Sequence, residues 1–162
     1  MHAEARAYVE GLVAGRLFPA VVEVGGRWIN GGVRDLIAHQ TYVSLDLHPG
    51  PGVDVVADVR DWVAPGRVDL VVCLEVIEHS DDPRGVVEAC TALLVAGGLL
   101  VLTCAGPHRA PHSGLDGGPV RDGEHYGNVE PDDLAKWLDG FEPRIEYHPE
   151  RGDLYASAVA PS

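Results

Sequence analysis

Short apolar runs recur along the chain, each broken by glycine, proline or an acid, and few alternate in the manner of a sheet with one wet face. Val21 to Val24, Tyr42 to Leu45, Val53 to Ala57, Val68 to Leu74 and Leu99 to Thr103 are such runs and read as buried strands. Arg144 to His148 and Leu154 to Val159, joined by the turn Pro149 to Asp153, predict a terminal hairpin. Helical spacing fills the intervals. Residues 3 to 16 carry Ala7, Tyr8, Leu12 and Val13 on one stripe, with Pro19 as the stop. Val33 to His39 predicts a short second helix. Asp81-Asp82-Pro83 starts a third, running through Val86, Val87, Cys90 and Leu94 until Gly97 and Gly98 end it, and Pro131 to Leu138 forms the last. The expected fold is α/β: a doubly wound, mostly parallel seven-stranded sheet with a C-terminal antiparallel hairpin, in one domain over residues 1–162.

Each of the first four strands runs into an acid: Glu23, Asp46, Asp58 and Glu75. In open α/β sheets, ligands sit outside the carboxyl ends of the strands, so these acids gather where a ligand would lie. The first strand breaks into Gly25-Gly26-Arg27-Trp28-Ile29-Asn30-Gly31-Gly32, which lets a ligand approach the backbone closely but does not match the G-x-G-x-x-G of a dinucleotide site. With 12 basic and 25 acidic side chains, the formal charge of -13 repels a phosphate backbone and argues against nucleic acid as a partner. Cys73, Cys90 and Cys104 sit in apolar runs without C-x-x-C spacing, as buried thiols of a reducing compartment do. The first residues lack the basic head and apolar run of a signal peptide, and no run is long enough to span a membrane, so a cytoplasmic location is expected.

Several of these motifs together resemble the class I S-adenosylmethionine-dependent methyltransferases over nearly the whole chain. Glu23-Val24-Gly25 is similar to the family's cofactor motif at the first strand. Asp46 is similar to the acid that holds the ribose hydroxyls, and Asp58 to the acid near the adenine amino group. Leu74 to His79, LEVIEH, and Val95 to Thr103, VAGGLLVLT, are similar to the segment after strand four and to the turn and strand that follow. The glycine loop departs from E-x-G-x-G-x-G. It resembles instead a small, uncharacterised bacterial and phage subgroup reading E-x-G-S-x-x-x-N-G-S-V-R, and Pro49 to Asp58, PGPGVDVVAD, matches that subgroup's next phrase. The resemblance implies S-adenosyl-L-methionine as cofactor, held by Glu23, Gly25, Gly26, Asn30, Asp46, Leu47, Asp58, Val59, Leu74 and Glu75. Glu23 would meet the cofactor's amino group or brace the loop.

Methyl transfer from a sulfonium is a direct displacement, so the protein aligns donor and nucleophile and needs a base only where the nucleophile carries a proton. His79 and His125 are the candidate bases and are expected to meet at one sheet edge. Glu75, Glu78 and His79, spaced i, i+3 and i+4, with His125 also resemble the metal-binding set of small-RNA 2′-O-methyltransferases and some quinone-pathway O-methyltransferases. A hydrogen-bonded cap of two carboxylates and an imidazole accounts for the same residues, and no metal is assigned. The long segment from Ala105 to Val129 supplies the substrate candidates His112, Arg121, Glu124 and Tyr126. The expected reaction is methylation, by the resemblance, of a small-molecule or sugar-like hydroxyl. The alternative is a cofactor-binding module without catalysis. Leu74-Glu75-Val76-Ile77 stands where DNA amino-methylating enzymes carry N-P-P-Y, and a nicotinamide oxidoreductase fails on the glycine spacing and the hairpin.

Overall fold

The computed structural model describes residues 3–162. Seven strands form one sheet in the order β3-β2-β1-β4-β5-β7-β6. They are β1 (Leu17–Val24), β2 (Ala38–Asp46), β3 (Val55–Val56), β4 (Val68–Leu74), β5 (Leu94–Ala105), β6 (Glu142–His148) and β7 (Asp153–Val159). All pairs are parallel except those of β7, which runs antiparallel to both β5 and β6. The order reverses between β1 and β4, which opens a crevice at their carboxyl ends.

Side chains of the central strands alternate between two apolar layers. Val21, Leu70, Val72 and Val101 face helix α1 (Ala3–Val13), which contributes Val9 and Val13. Val22, Val71, Cys73 and Leu102 face helices α2 (Pro83–Ala92) and α3 (Pro131–Trp137), which contribute Val86, Val87, Cys90 and Leu134. The three cysteines are free and buried, as their apolar settings imply. The Asp82 side chain caps α2 by accepting from the Gly85 N–H at 2.9 Å, with Pro83 in the first turn.

Three elements differ from their sequence reading. Val33 to His39 is not a helix: a 3-10 turn covers Arg34–Leu36, and β2 already begins at Ala38. The interval between loop and strand leaves no room for a stable helix, and pairing of Leu17 with Ala38 draws the following residues into the sheet. Likewise Pro19 does not stop the chain before a strand but lies inside β1. It is tolerated because β1 gains its second neighbour, β4, only from Val21 onward. Gly97 and Gly98 do not end α2, which closes at Ala92. They form an irregular stretch of β5, where the partner of Val68 is Leu94 but that of Leu70 is Leu99. The remaining elements agree within a few residues, although β3 shrinks to Val55–Val56.

Just below the point where β4 joins β1, the Ala20 N–H is taken by the Asp69 carboxylate at 2.8 Å, a side chain standing in for a ladder bond. Asp69→Ala removes this acceptor from a partly buried amide and should cost about 1–3 kcal/mol, read as a lower denaturation midpoint in urea at unchanged slope. Asp69→Asn, which keeps an acceptor oxygen, should lose less than half as much.

Candidate active site

The carboxyl edge of β1, β2 and β4 lines a cavity of about 880 Å³. At its floor, the Gly25 and Gly26 N–H groups both donate to the Leu45 carbonyl, at 2.8 and 2.9 Å. Gly25 has φ +74°, and a Cβ there would stand 2.2 Å from Val76 Cγ2; a Cβ on Gly26 would stand 1.9 Å from Ser44 Oγ. Packing therefore requires glycine at both positions, and conformation requires it at Gly25 as well. Glu23 is buried beneath this turn and accepts the Tyr42 hydroxyl at 2.8 Å. Burial pushes its carboxyl up to about 7, against which the Tyr42 hydrogen bond works only in part. Glu23 both holds the Tyr42 hydroxyl and borders the cavity.

Asp46 ends β2 and accepts the Arg27 N–H at 3.2 Å and the His48 N–H at 2.9 Å. Asp58 is gripped by Arg60, whose Nε reaches both carboxylate oxygens at 3.0 and 3.1 Å. These side-chain bonds hold the Asp58 carboxyl below its ordinary range. Arg60 also lies 3.6 Å from Asp81 and 3.7 Å from Asp82. Leu47, Val59, Leu74 and Glu75 line the same cavity. Asn30 does not; it borders a separate space of about 230 Å³ beside Arg6, Trp28 and Arg34.

At the β4 end, Glu75 adopts φ 56°, an uncommon conformation for a residue with a side chain, and accepts the Thr103 hydroxyl at 2.7 Å. It thereby leaves the 3-10 turn Ile77–His79, so the expected common face of Glu75, Glu78 and His79 is broken. Glu78 is fully buried, accepts the Ala105 N–H at 3.1 Å, and has its carboxyl pushed well up by burial and next by the Glu75 charge. The His79 ring is held neutral, pushed down to about 4 by burial and then by nearby His112.

His79 and His125 line the same cavity, so the structure brings the two candidate bases to one edge. The ring neighbours of His79 are His112 and Tyr126, with centroids 5.0 and 5.5 Å away. Neither of these two lines the cavity. Of the substrate candidates only Glu124 reaches the wall, and its carboxylate is occupied by the Ser113 hydroxyl at 2.6 Å and the Arg121 N–H at 2.8 Å. The Arg121 side chain pairs with Asp116. One ligand atom each from Glu78, His79 and His112 lies within 4.8 Å of the others; among the described residues this is the metal-capable group, and it includes neither Glu75 nor His125. Sequence reasoning missed Arg27. It ties the glycine loop to the overlying segment through the Gly114 and Leu115 carbonyls at 3.4 and 3.1 Å, and its stem lies against Gly50, which no local signal announces.

The sequence family described as Methyltransferase domain matches residues 35–102, from the turn before β2 into β5. That match covers under half of the chain, which is thus similar to the methyltransferase-domain family over this stretch. Ubiquinone biosynthesis O-methyltransferases are similar in sequence: that of Colwellia psychrerythraea is 33% identical over 79 residues, 49% of this chain and 29% of that protein. That of Xanthomonas campestris is 32% identical over 103 residues, 56% of this chain and 42% of that protein. The chain thus spans less than half the length of these curated relatives. The solved N-methyltransferase NodS of Bradyrhizobium japonicum, in complex with S-adenosyl-L-homocysteine, shares the fold of this chain with TM-score 0.69 at 15% identity, covering 98% of this chain and 87% of that one. Among the described residues, no helix is long and apolar enough to cross a membrane.

The raised Glu23 carboxyl sets a direction for stability against pH. The folded state holds the Glu23 proton up to about 7, whereas the unfolded chain releases it near 4.5. Its contribution is therefore fully present below about 4.5 and is lost as pH rises through 7. Glu23→Gln removes this dependence and still accepts from Tyr42. The difference in unfolding free energy between variant and parent should shift toward the variant from pH 4.5 to 7.5 in denaturant titrations.

Proposed function

We propose that the domain binds S-adenosyl-L-methionine along the carboxyl ends of β1, β2 and β3 and transfers its methyl group to a hydroxyl of a small molecule or sugar-like acceptor. The observation that carries this reading is the shared cavity, with Asp46 and Asp58 at one end and Glu75, His79 and His125 at the other. Two carboxylates at the ends of neighbouring strands suit the ribose hydroxyls and the adenine amino group. Hydroxyl acceptance agrees with the O-methyltransferase names of the curated relatives. The formal charge of -13 favours a neutral or cationic acceptor over a nucleic acid.

His125, exposed on the cavity wall, takes the acceptor's proton in this reading as the carbon–oxygen bond forms. The donor sulfur departs with its bonding pair as S-adenosyl-L-homocysteine, and alignment of donor, methyl and oxygen supplies most of the rate. His79 is uncharged at neutral pH and forms the rear of the acceptor end.

Calorimetric titration should detect S-adenosyl-L-methionine binding and no NAD binding. Asp46→Ala should weaken the former more than tenfold, the loss of charge-assisted hydrogen bonds worth about 2 kcal/mol; unchanged affinity would reject the placement of the donor.

His125→Ala should leave donor affinity within about twofold and lower kcat by roughly 100-fold. The assay is release of S-adenosyl-L-homocysteine with a panel of phenolic, catecholic and sugar hydroxyls. Donor binding without turnover of any panel member would favour a non-catalytic binding module.

A further inference from the structure

The sheet ends in two unlike edges. β3 is two residues long, whereas β6 runs over seven and, among the described residues, pairs only with β7. The ladder fixes which main-chain groups the free side of β6 presents. In an antiparallel pair, opposite residues exchange hydrogen bonds at every second position, so a strand turns alternate residues toward each neighbour. The Gly152 carbonyl accepts the Gly106 N–H at 2.7 Å, and the Ala160 N–H donates to the Gly98 carbonyl at 2.9 Å, so the even-numbered residues of β7 bond to β5. The odd-numbered ones, 153 to 159, therefore bond to their partners His148, Glu146, Arg144 and Glu142. Pro143, Ile145 and Tyr147 are left with their main-chain groups pointing away from the sheet. Pro143 thus stands where its missing N–H costs no ladder bond.

A free edge of this length is a template for another strand, and proteins commonly blunt such edges with charges and proline. In β6 the charges are ordered so that a second, antiparallel copy meets opposites. About a two-fold axis through Ile145, Arg144 lies opposite Glu146, Glu142 opposite His148, and Pro143 opposite Tyr147. The main chain matches in the same register: the two Ile145 residues exchange N–H and carbonyl, and each Tyr147 N–H meets a Pro143 carbonyl. Moving the axis by one residue either way sets Arg144 on Arg144 or Glu146 on Glu146, and like charges directly opposite destabilise a pair. Glu142, Arg144 and Glu146 are exposed. Among the described residues Arg144 takes part in no ion pair, and Glu146 approaches only His148, at 3.8 Å.

We infer that β6 is a self-association edge through which two copies of this chain join their sheets antiparallel, with Ile145 on the two-fold axis. One face of the joined sheet gains an Arg144–Glu146 pair on each side of the axis. On the other face Ile145 and Tyr147, already packed against the core, continue the apolar surface from one copy to the next. Such a contact is isologous and closes on itself, so it yields a dimer and not a fibre. None of residues 142–148 lines the cavity, and the inference holds whatever the cavity binds.

Sedimentation velocity of the full chain from about 5 to 500 μM should show a reversible monomer–dimer equilibrium, as suits an interface at the small end of the range. As the dimer fills, hydrogen exchange should slow at the Ile145 and Tyr147 amides and stay unchanged at Arg144 and Glu146, which already bond to β7. Arg144→Glu sets a second carboxylate opposite Glu146, and Glu146→Arg sets a second guanidinium opposite Arg144. Each alone should raise the dimer dissociation constant roughly tenfold or more. An equimolar mixture of the two variants should form a heterodimer within about threefold of the parent's strength, because every charge again meets its opposite. A role of these side chains within one protomer would not respond to mixing. Circular dichroism checks that each variant folds. Four results each overturn the inference: a parent that stays monomeric at the highest concentration, single variants that dimerise as the parent does, a mixture no tighter than its components, or a dimer that leaves the Ile145 and Tyr147 amides unprotected. If a single variant does not fold, the concentration dependence of exchange at those two amides in the parent decides alone.

Discussion

A methyl group of Val76 occupies the space that any side chain on Gly25 would need. This contact locks the turn after β1 against the turn after β4, and the rest of the site depends on it. With Val76 seated there, Ile77 turns into the core and Glu78 turns beneath β5 to the Ala105 amide. His79 is left on the cavity wall. The left-handed backbone at Glu75 makes the bend possible, held by the Glu75 N–H on the Thr103 carbonyl at 2.8 Å and by the Thr103 hydroxyl on the carboxylate. A strained residue stabilised from a neighbouring strand fixes geometry more tightly than a relaxed loop would.

The strands were legible because burial on both faces leaves continuous apolar runs, and because each run ended in an acid. That pattern placed Glu23, Asp46, Asp58 and Glu75 at one edge, and the structure puts all four on the cavity. What escaped the sequence depended on partners distant along the chain. Val33 to His39 has helical spacing in isolation, but its continuation is committed to β1. Asn30 sits among cavity-lining neighbours, Ile29 and Gly31, yet borders the other space, since a loop without regular structure imposes no period on its side chains. The sequence set Glu78 and His79 beside Glu75 and His125, whereas the ligand atoms that lie within 4.8 Å of one another belong to Glu78, His79 and His112. A chain of 162 residues with eight histidines offers no spacing rule that could choose between rings on an irregular segment.

That segment is irregular but not loosely attached. Its start is pinned by Arg109, which pairs with the buried Asp153 at the head of β7. Its middle is tied to the glycine loop through Arg27 and internally by Ser113 with Glu124. Its end returns to the sheet through the Val129 N–H on the Ala105 carbonyl at 2.9 Å. Most of its polar side chains are therefore occupied in holding the segment itself, which is why Arg121 and Glu124, plausible as acceptor contacts from type alone, have partners already.

The same accounting applies to charge within the cavity. Two cations line it, Arg27 and Arg60, and each is placed against an acid of the sheet edge: Arg27 Nε lies 3.9 Å from Asp46, and Arg60 grips Asp58. Neither guanidinium stands as an isolated positive charge facing a ligand. Glu75, Asp81, Asp122 and Glu124 also border the space, so the balance of the walls is acidic. A ligand bearing a positive sulfonium and an ammonium enters such a space with favourable electrostatics, whereas a phosphate does not. The demethylated product has lost the sulfonium charge and with it part of that attraction. On the proposed reading, the wall charge favours the sulfonium donor over its demethylated product.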